Sequence, residues 1–172
     1  MRGFLSGIVV AILLAVVALC VVLTGHMNFR ADQQPGAMET HFAMKVVDAS
    51  TERNAPTISN PVQATDENLR AAAGVYRDNC AGCHGDPVTP QRPFGQSFYP
   101  PAPQFANDAP DMPENQNYYI IQHGVRWTGM PAWKATLTDV QIWQLVTLLS
   151  HFDKLSPEIK QEFKKPVTFT QQ

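Results

Sequence analysis

Two patterns of apolar residues divide the chain. From Gly3 to Thr24 every residue is uncharged, in the run GFLSGIVVAILLAVVALCVVLT. As a helix, its 22 residues would span roughly 33 Å, about the hydrocarbon thickness of a bilayer. Beyond it the apolar positions become intermittent. Leu69, Ala73 and Tyr76 recur at helical spacing behind Thr65, a predicted N-cap, with Asp66 and Glu67 in the first turn. Gly74 is expected to offer a flat spot where another helix crosses. A second helix is predicted over Glu114–His123, with Tyr118, Tyr119, Ile120 and Ile121 entering the core. A third fits Thr138–Phe152: Thr138 and Gln141 form a capping-box pattern, and Ile142, Leu145, Val146 and Leu149 supply an apolar face beside Trp143.

Weaker signals flank these three. Met38, Phe42 and Val46 make a faint stripe within Ala37–Ala49. It fits equally a solvated tether with a transient turn and a helix lying on a membrane surface or a partner subunit. Ser156-Pro157 is a good helix start, after which Ile159 and Phe163 are either part of a frayed end or a contact with a partner subunit. The expected division is a transmembrane anchor (1–25), a linker with a possible short amphipathic helix (26–64), the main domain (65–152) and a tail (153–172).

Composition changes this picture in two places. The 14 prolines concentrate between positions 87 and 113, and proline fixes φ and removes a donor, so a stiff loop without helix or sheet is expected there. The formal net charge of −2 and charged fraction of 16 % leave no basic footprint, which argues against nucleic acid as a partner. For the apolar run, a retained anchor competes with a cleaved signal and with lipid attachment at Cys20. Its apolar core exceeds the usual 7–15 or so residues of a signal peptide, and Leu19 stands where lipid attachment wants a small residue.

The chemistry concentrates in Asn79-Cys80-Ala81-Gly82-Cys83-His84-Gly85. Two thiols three positions apart, with an imidazole next to the second, form the attachment signature of a c-type haem. Cys80 and Cys83 would add across the two vinyl groups, and His84 would lie beneath the iron as proximal ligand. A dithiol redox pair has no use for the histidine. A zinc site would need further ligands at a familiar spacing, beyond Cys80, Cys83 and His123. A Cys80–Cys83 disulfide is geometrically poor. Haem attachment takes place outside the cytoplasmic membrane in bacteria, so the residues after Gly25 are expected on the periplasmic side.

Candidates for the sixth ligand are Met112, His123 and Met130, with an open site as the remaining option. Met130 is favoured: it lies in Thr128-Gly129-Met130-Pro131, between two predicted helices, where proline stiffens the loop. A thioether stabilises ferrous iron and closes the site to O₂. Arg126 and Trp127 are candidate donors to a haem propionate, or else a surface arginine and a core tryptophan.

With the haem motif, the Gly-Met-Pro loop and the capped final helix in this order, Asp66–Phe152 resembles class I cytochrome c domains. The whole chain is similar to bacterial membrane-anchored monohaem cytochromes c found beside respiratory or dehydrogenase complexes. The resemblance implies an all-α fold of three to four helices around one covalently bound haem, with a single N-terminal transmembrane helix. It also implies Cys80 and Cys83 as attachment points, His84 and Met130 as axial ligands, and Gly74 and Tyr76 as helix-crossing positions. Thr147-Leu148-Leu149 departs from it, because many relatives carry a tyrosine before the leucine. The function implied is single-electron transfer between redox partners (a membrane-bound respiratory or dehydrogenase complex, or other cytochromes) rather than catalysis. A haem enzyme or gas sensor with a labile sixth ligand is the rival, and a fixed relay subunit is the variant of the carrier.

Overall fold

The computed structural model describes residues 2–167; Met1 and the last five positions of the tail, 168–172, lie outside the described residues. Every regular element among the described residues is helical. Two compact units divide at Arg30. The first contains α1 (Arg2–Leu23), which is long and apolar enough to cross a membrane and has none of its span buried within the protein. Its residues from Gly3 on are uncharged and mostly apolar on every side of the helix.

The second unit contains α2 (Ala37–Asn54), α3 (Asp66–Asn79), α4 (Ala81–His84), α5 (Pro93–Gln96), α6 (Glu114–His123), α7 (Asp139–Leu149) and α8 (Pro157–Glu162). Two 3₁₀ turns, Trp133–Ala135 and Phe152–Lys154, flank α7. The ends follow local chemistry. Thr65 Oγ1 accepts from Asn68 N at 3.3 Å, and the Thr138/Gln141 box is closed in both directions. Ser156 caps α8, with Pro157 at its first position.

The core forms where α3 crosses α7. Leu69, Ala72, Ala73 and Tyr76 from α3 meet Ile142, Leu145, Val146 and Leu149 from α7, all buried. Gly74 is not the crossing point. A Cβ built on it meets nothing within 4 Å, and the close approach falls on the fully buried pair Ala72 and Ala73. Alanine is already small enough for the helices to approach there, and Gly74 faces away. Of the four residues expected to bring α6 into the core, Tyr118 and Ile121 are buried, while Tyr119 and Ile120 are only partly covered. Tyr118 stacks on Trp143 with centroids 4.1 Å apart.

Three segments differ from what the sequence led us to expect. The faint stripe is a complete helix, α2, running five residues past Ala49. It packs beside α6, with Thr51 buried and Val47 partly covered, and leaves Met38, Phe42 and Val46 exposed. Side-chain bonds then hold the following segment: Asn115 Nδ2 donates to Pro56 O at 3.0 Å, and Asn60 Nδ2 to Thr147 Oγ1 at 2.8 Å. The proline-rich stretch contains one helical turn, α5, because Pro93 sits at the first position, where a missing N–H costs nothing. The beginning of the tail is neither frayed nor left for a partner. Ile159 and Phe163 are buried against Tyr76 and Phe152, with ring centroids 6.0 Å from Phe163 to each aromatic.

Candidate functional site

The Cys-x-x-Cys-His motif folds as the single turn α4, directly after α3. Cys80 N donates to Tyr76 O at 2.8 Å, and His84 N to Cys80 O at 3.0 Å. The thiols of Cys80 and Cys83 therefore project from consecutive turns, and both are free. Burial pushes the Cys80 thiol up to about 12, with the neighbouring Cys83 adding to the effect, and burial raises Cys83 as well. Burial thus favours the neutral thiol at both positions, and these are the groups that would form thioethers with the vinyl groups of a haem.

His84 is held by two contacts. Its Nδ1 lies 2.8 Å from Pro103 O. A carbonyl can only accept, so Nδ1 carries the proton and Nε2 keeps its lone pair for a metal. The Phe105 ring stacks on the imidazole, centroids 4.4 Å apart and 4° from parallel, while Phe105 N donates to His84 O at 3.1 Å. Burial lowers the His84 pKa, partly opposed by the bond to Pro103. The ring is accordingly a neutral donor at physiological pH.

The backbone crowds closely around this turn. Tyr76 Oη donates to Gly85 O at 2.8 Å across the buried interior. Gly85 has φ +70°, and a Cβ there would lie 2.6 Å from Pro90 O. Asp86, 2 % exposed, accepts from Val88 N and Thr89 N and is paired with Arg92 at 2.9 Å. Gly95 lies so close to α4 that a Cβ would come within 1.9 Å of Cys83 O. Gln104, next to Pro103, donates to Cys83 O and Ala102 O and accepts from Arg92 N. Asp86, Arg92, Gln104 and Phe105 carry no periodicity in the sequence, and only the fold brings them together.

Met130 lies in the loop between α6 and α7, half-buried at the edge of the core with Phe105, Cys80 and Trp133. The loop leaves α6 through Gly124, φ +68°, where a Cβ would clash with Met130 O at 2.6 Å. Val125 N donates to Met130 O, and Met130 N to Thr128 Oγ1, so the methionine closes its own turn. Gly129 passes under the Phe98 ring. Arg126 is exposed, and Trp127, at φ +61°, is 90 % exposed, so it is no core tryptophan. His123 is exposed at the end of α6 beside Tyr119, and Met112 sits at the foot of α6, where its carbonyl accepts from Asn117. Among the described residues no group of three or more His, Cys, Asp or Glu is placed to hold a metal ion. Cys80, Cys83 and His123 therefore do not assemble into a zinc site.

An all-helical domain built around this turn has the class I cytochrome c fold. Residues 67–149 match the family model described as "Cytochrome C oxidase, cbb3-type, subunit III". Comparison with curated proteins returns no match. This region is a c-type cytochrome domain, it carries covalently bound haem c, and its work is haem-based electron transfer. The donor set fits that group: two protonated thiols on consecutive turns, a neutral imidazole with Nε2 unspent, and a half-buried thioether on a neighbouring loop.

Proposed function

We propose that this protein is a membrane-anchored monohaem cytochrome c carrying single electrons between redox partners on the periplasmic face of a bacterial cytoplasmic membrane. It serves there as a carrier or as the haem subunit of a respiratory or dehydrogenase complex. In this reading residues 1–25 are the anchor, 26–64 the connection, 65–152 the cytochrome domain and 153–172 the tail. Cys80 and Cys83 hold the haem, His84 and Met130 are the axial ligands, and Arg126 and Trp127 donate to a propionate.

When bound, the haem supplies a one-electron ferric/ferrous couple. The residues of the chain set the conditions for it. Pro103 fixes the imidazole tautomer and raises the ring's basicity, as outer partners of metal ligands do. Met130 offers a soft sulfur that favours ferrous iron and leaves no coordination position for oxygen. The observation that carries this reading is the His84 Nδ1 bond to Pro103 O in a ring that directly follows the two free thiols. The apolar length of Gly3–Leu23 supports the anchor, and tethering confines the search for membrane-bound partners.

The test is spectroscopic. The full chain, expressed where c-type haem is attached, should retain haem through acid-acetone extraction and show the near-infrared sulfur-to-iron band when ferric. Its ferrous form should bind carbon monoxide only slowly. Prompt carbon monoxide binding would instead mark a sensor or haem enzyme.

A further inference from the structure

The bond from His84 Nδ1 depends on where one loop carbonyl is held. Pro103 cannot anchor itself: it is exposed, it has no N–H, and Pro100 and Pro101 before it have none either. Its neighbours fix it. Ala102 N donates to Gly95 O at 2.9 Å, and on the far side Phe105 N donates to His84 O at 3.1 Å. Between these two points stands Gln104, whose side-chain amide bonds through both its nitrogen and its oxygen. Nε2 donates to Cys83 O at 2.8 Å and to Ala102 O at 2.9 Å, and Oε1 accepts from Arg92 N at 2.8 Å.

These three bonds join the residue before His84, the residue before Pro103 and the residue opening α5. Arg92 is itself tied to the buried Asp86, two positions after His84. The loop carbonyl and the histidine it serves are therefore parts of one frame, and Gln104 is the brace between them. We propose that Gln104 is a positioning residue for the proximal ligand, holding Pro103 O on His84 Nδ1 and so setting how strongly the imidazole donates to the iron. This rests on His84 being that ligand, as proposed above.

The direction of the effect follows from the chemistry. A firm Nδ1–H···O bond pushes charge toward Nε2 and stabilises ferric iron. Loosening the carbonyl weakens that push, raises the midpoint potential and opens Nδ1–H to solvent.

The test compares full-length haem-loaded protein with Gln104→Leu, which loses all three bonds, and Gln104→Glu, which keeps only the acceptor for Arg92 N. In the ferric proteins, proton NMR follows the hyperfine-shifted, exchangeable Nδ1–H of the axial histidine, and redox titration gives the midpoint. Both variants should exchange that proton faster, by roughly tenfold or more, the factor attached to one lost hydrogen bond, and both midpoints should rise. Unchanged exchange and midpoint in both variants, with only a lower melting temperature, would overturn the proposal. So would failure of both to retain haem when the parent protein does, since Gln104 would then serve folding alone. If the parent protein itself lacked the axial-histidine resonance, the ligand assignment would fall, and this proposal with it.

Discussion

The two candidate axial residues sit in segments held by opposite means. Around His84 the bonds reach across the chain: Tyr76 to Gly85, His84 to Pro103, Gln104 to Cys83, Arg92 to Asp86. Around Met130 they stay within a few residues, from Val125 to Met130 and from Met130 to Thr128. The difference teaches where this site can yield. Bonds that tie separate segments together hold one another in place, whereas a loop closed on itself can open alone. If both bind iron as proposed, the thioether would be the exchangeable contact and the imidazole the fixed one.

Substitution at the loop should give the largest effect. Met130→Ala should leave haem covalently attached while the ferrous protein binds carbon monoxide rapidly. The midpoint should fall by on the order of 0.1–0.3 V, within the range of about 0.8 V that axial ligands command. Unaltered carbon monoxide kinetics would break the comparison. Two glycines sharpen it. Gly95→Ala forces a Cβ to within 1.9 Å of Cys83 O, an overpacking that costs about 3 kcal/mol and should reduce the yield of haem-loaded protein. Gly124→Ala strains a φ of +68° and presses on Met130 O, costing about 1–3 kcal/mol. Here attachment should survive and carbon monoxide binding should quicken, as read by haem stain and flash photolysis.

Asp86→Asn tests the fixed side more gently. It removes the charge opposite Arg92 in a position that is 2 % exposed and should cost about 1–3 kcal/mol in denaturant melts, with no effect on carbon monoxide binding. The smallest change is Tyr118→Phe, remote from both segments. It loses the bond donated to Asp139 and the one accepted from Gln122, each worth about 1 kcal/mol. Burial and the bond to Asp139 push the Tyr118 phenol up to about 12 from an ordinary 10.0. Its stabilisation is thus fully present below the unfolded value and lost as pH climbs from 10.0 toward about 12. The stability gap between the parent and the variant should close over that interval.

How much of this could be read from the sequence depended on the range of the interaction. Thr65, the Thr138/Gln141 pair and Ser156-Pro157 announce helix starts because capping is settled within four residues. Cys80, Cys83 and His84 are legible because attachment chemistry demands contiguity. The brace at Gln104 was not legible. A glutamine in a proline-rich stretch looks like solvent-facing filler, and its partners at 83, 92 and 102 are brought together only by the fold. Gly74 misled for a related reason. A glycine is permissive of close crossing but does not require it, and Ala72 and Ala73 already suffice. The tail misled as well: six residues of α8 are too few to show a periodic face, and only Tyr76 and Phe152 give Ile159 and Phe163 something to cover.

The folding of α2 into the second unit has a mechanical consequence. The segment between α1 and α2 comprises residues 24–36, a length of chain that reaches about 45 Å at full stretch. Were α1 held in lipid, as proposed above, that length would cap how far from the bilayer a redox partner could be met.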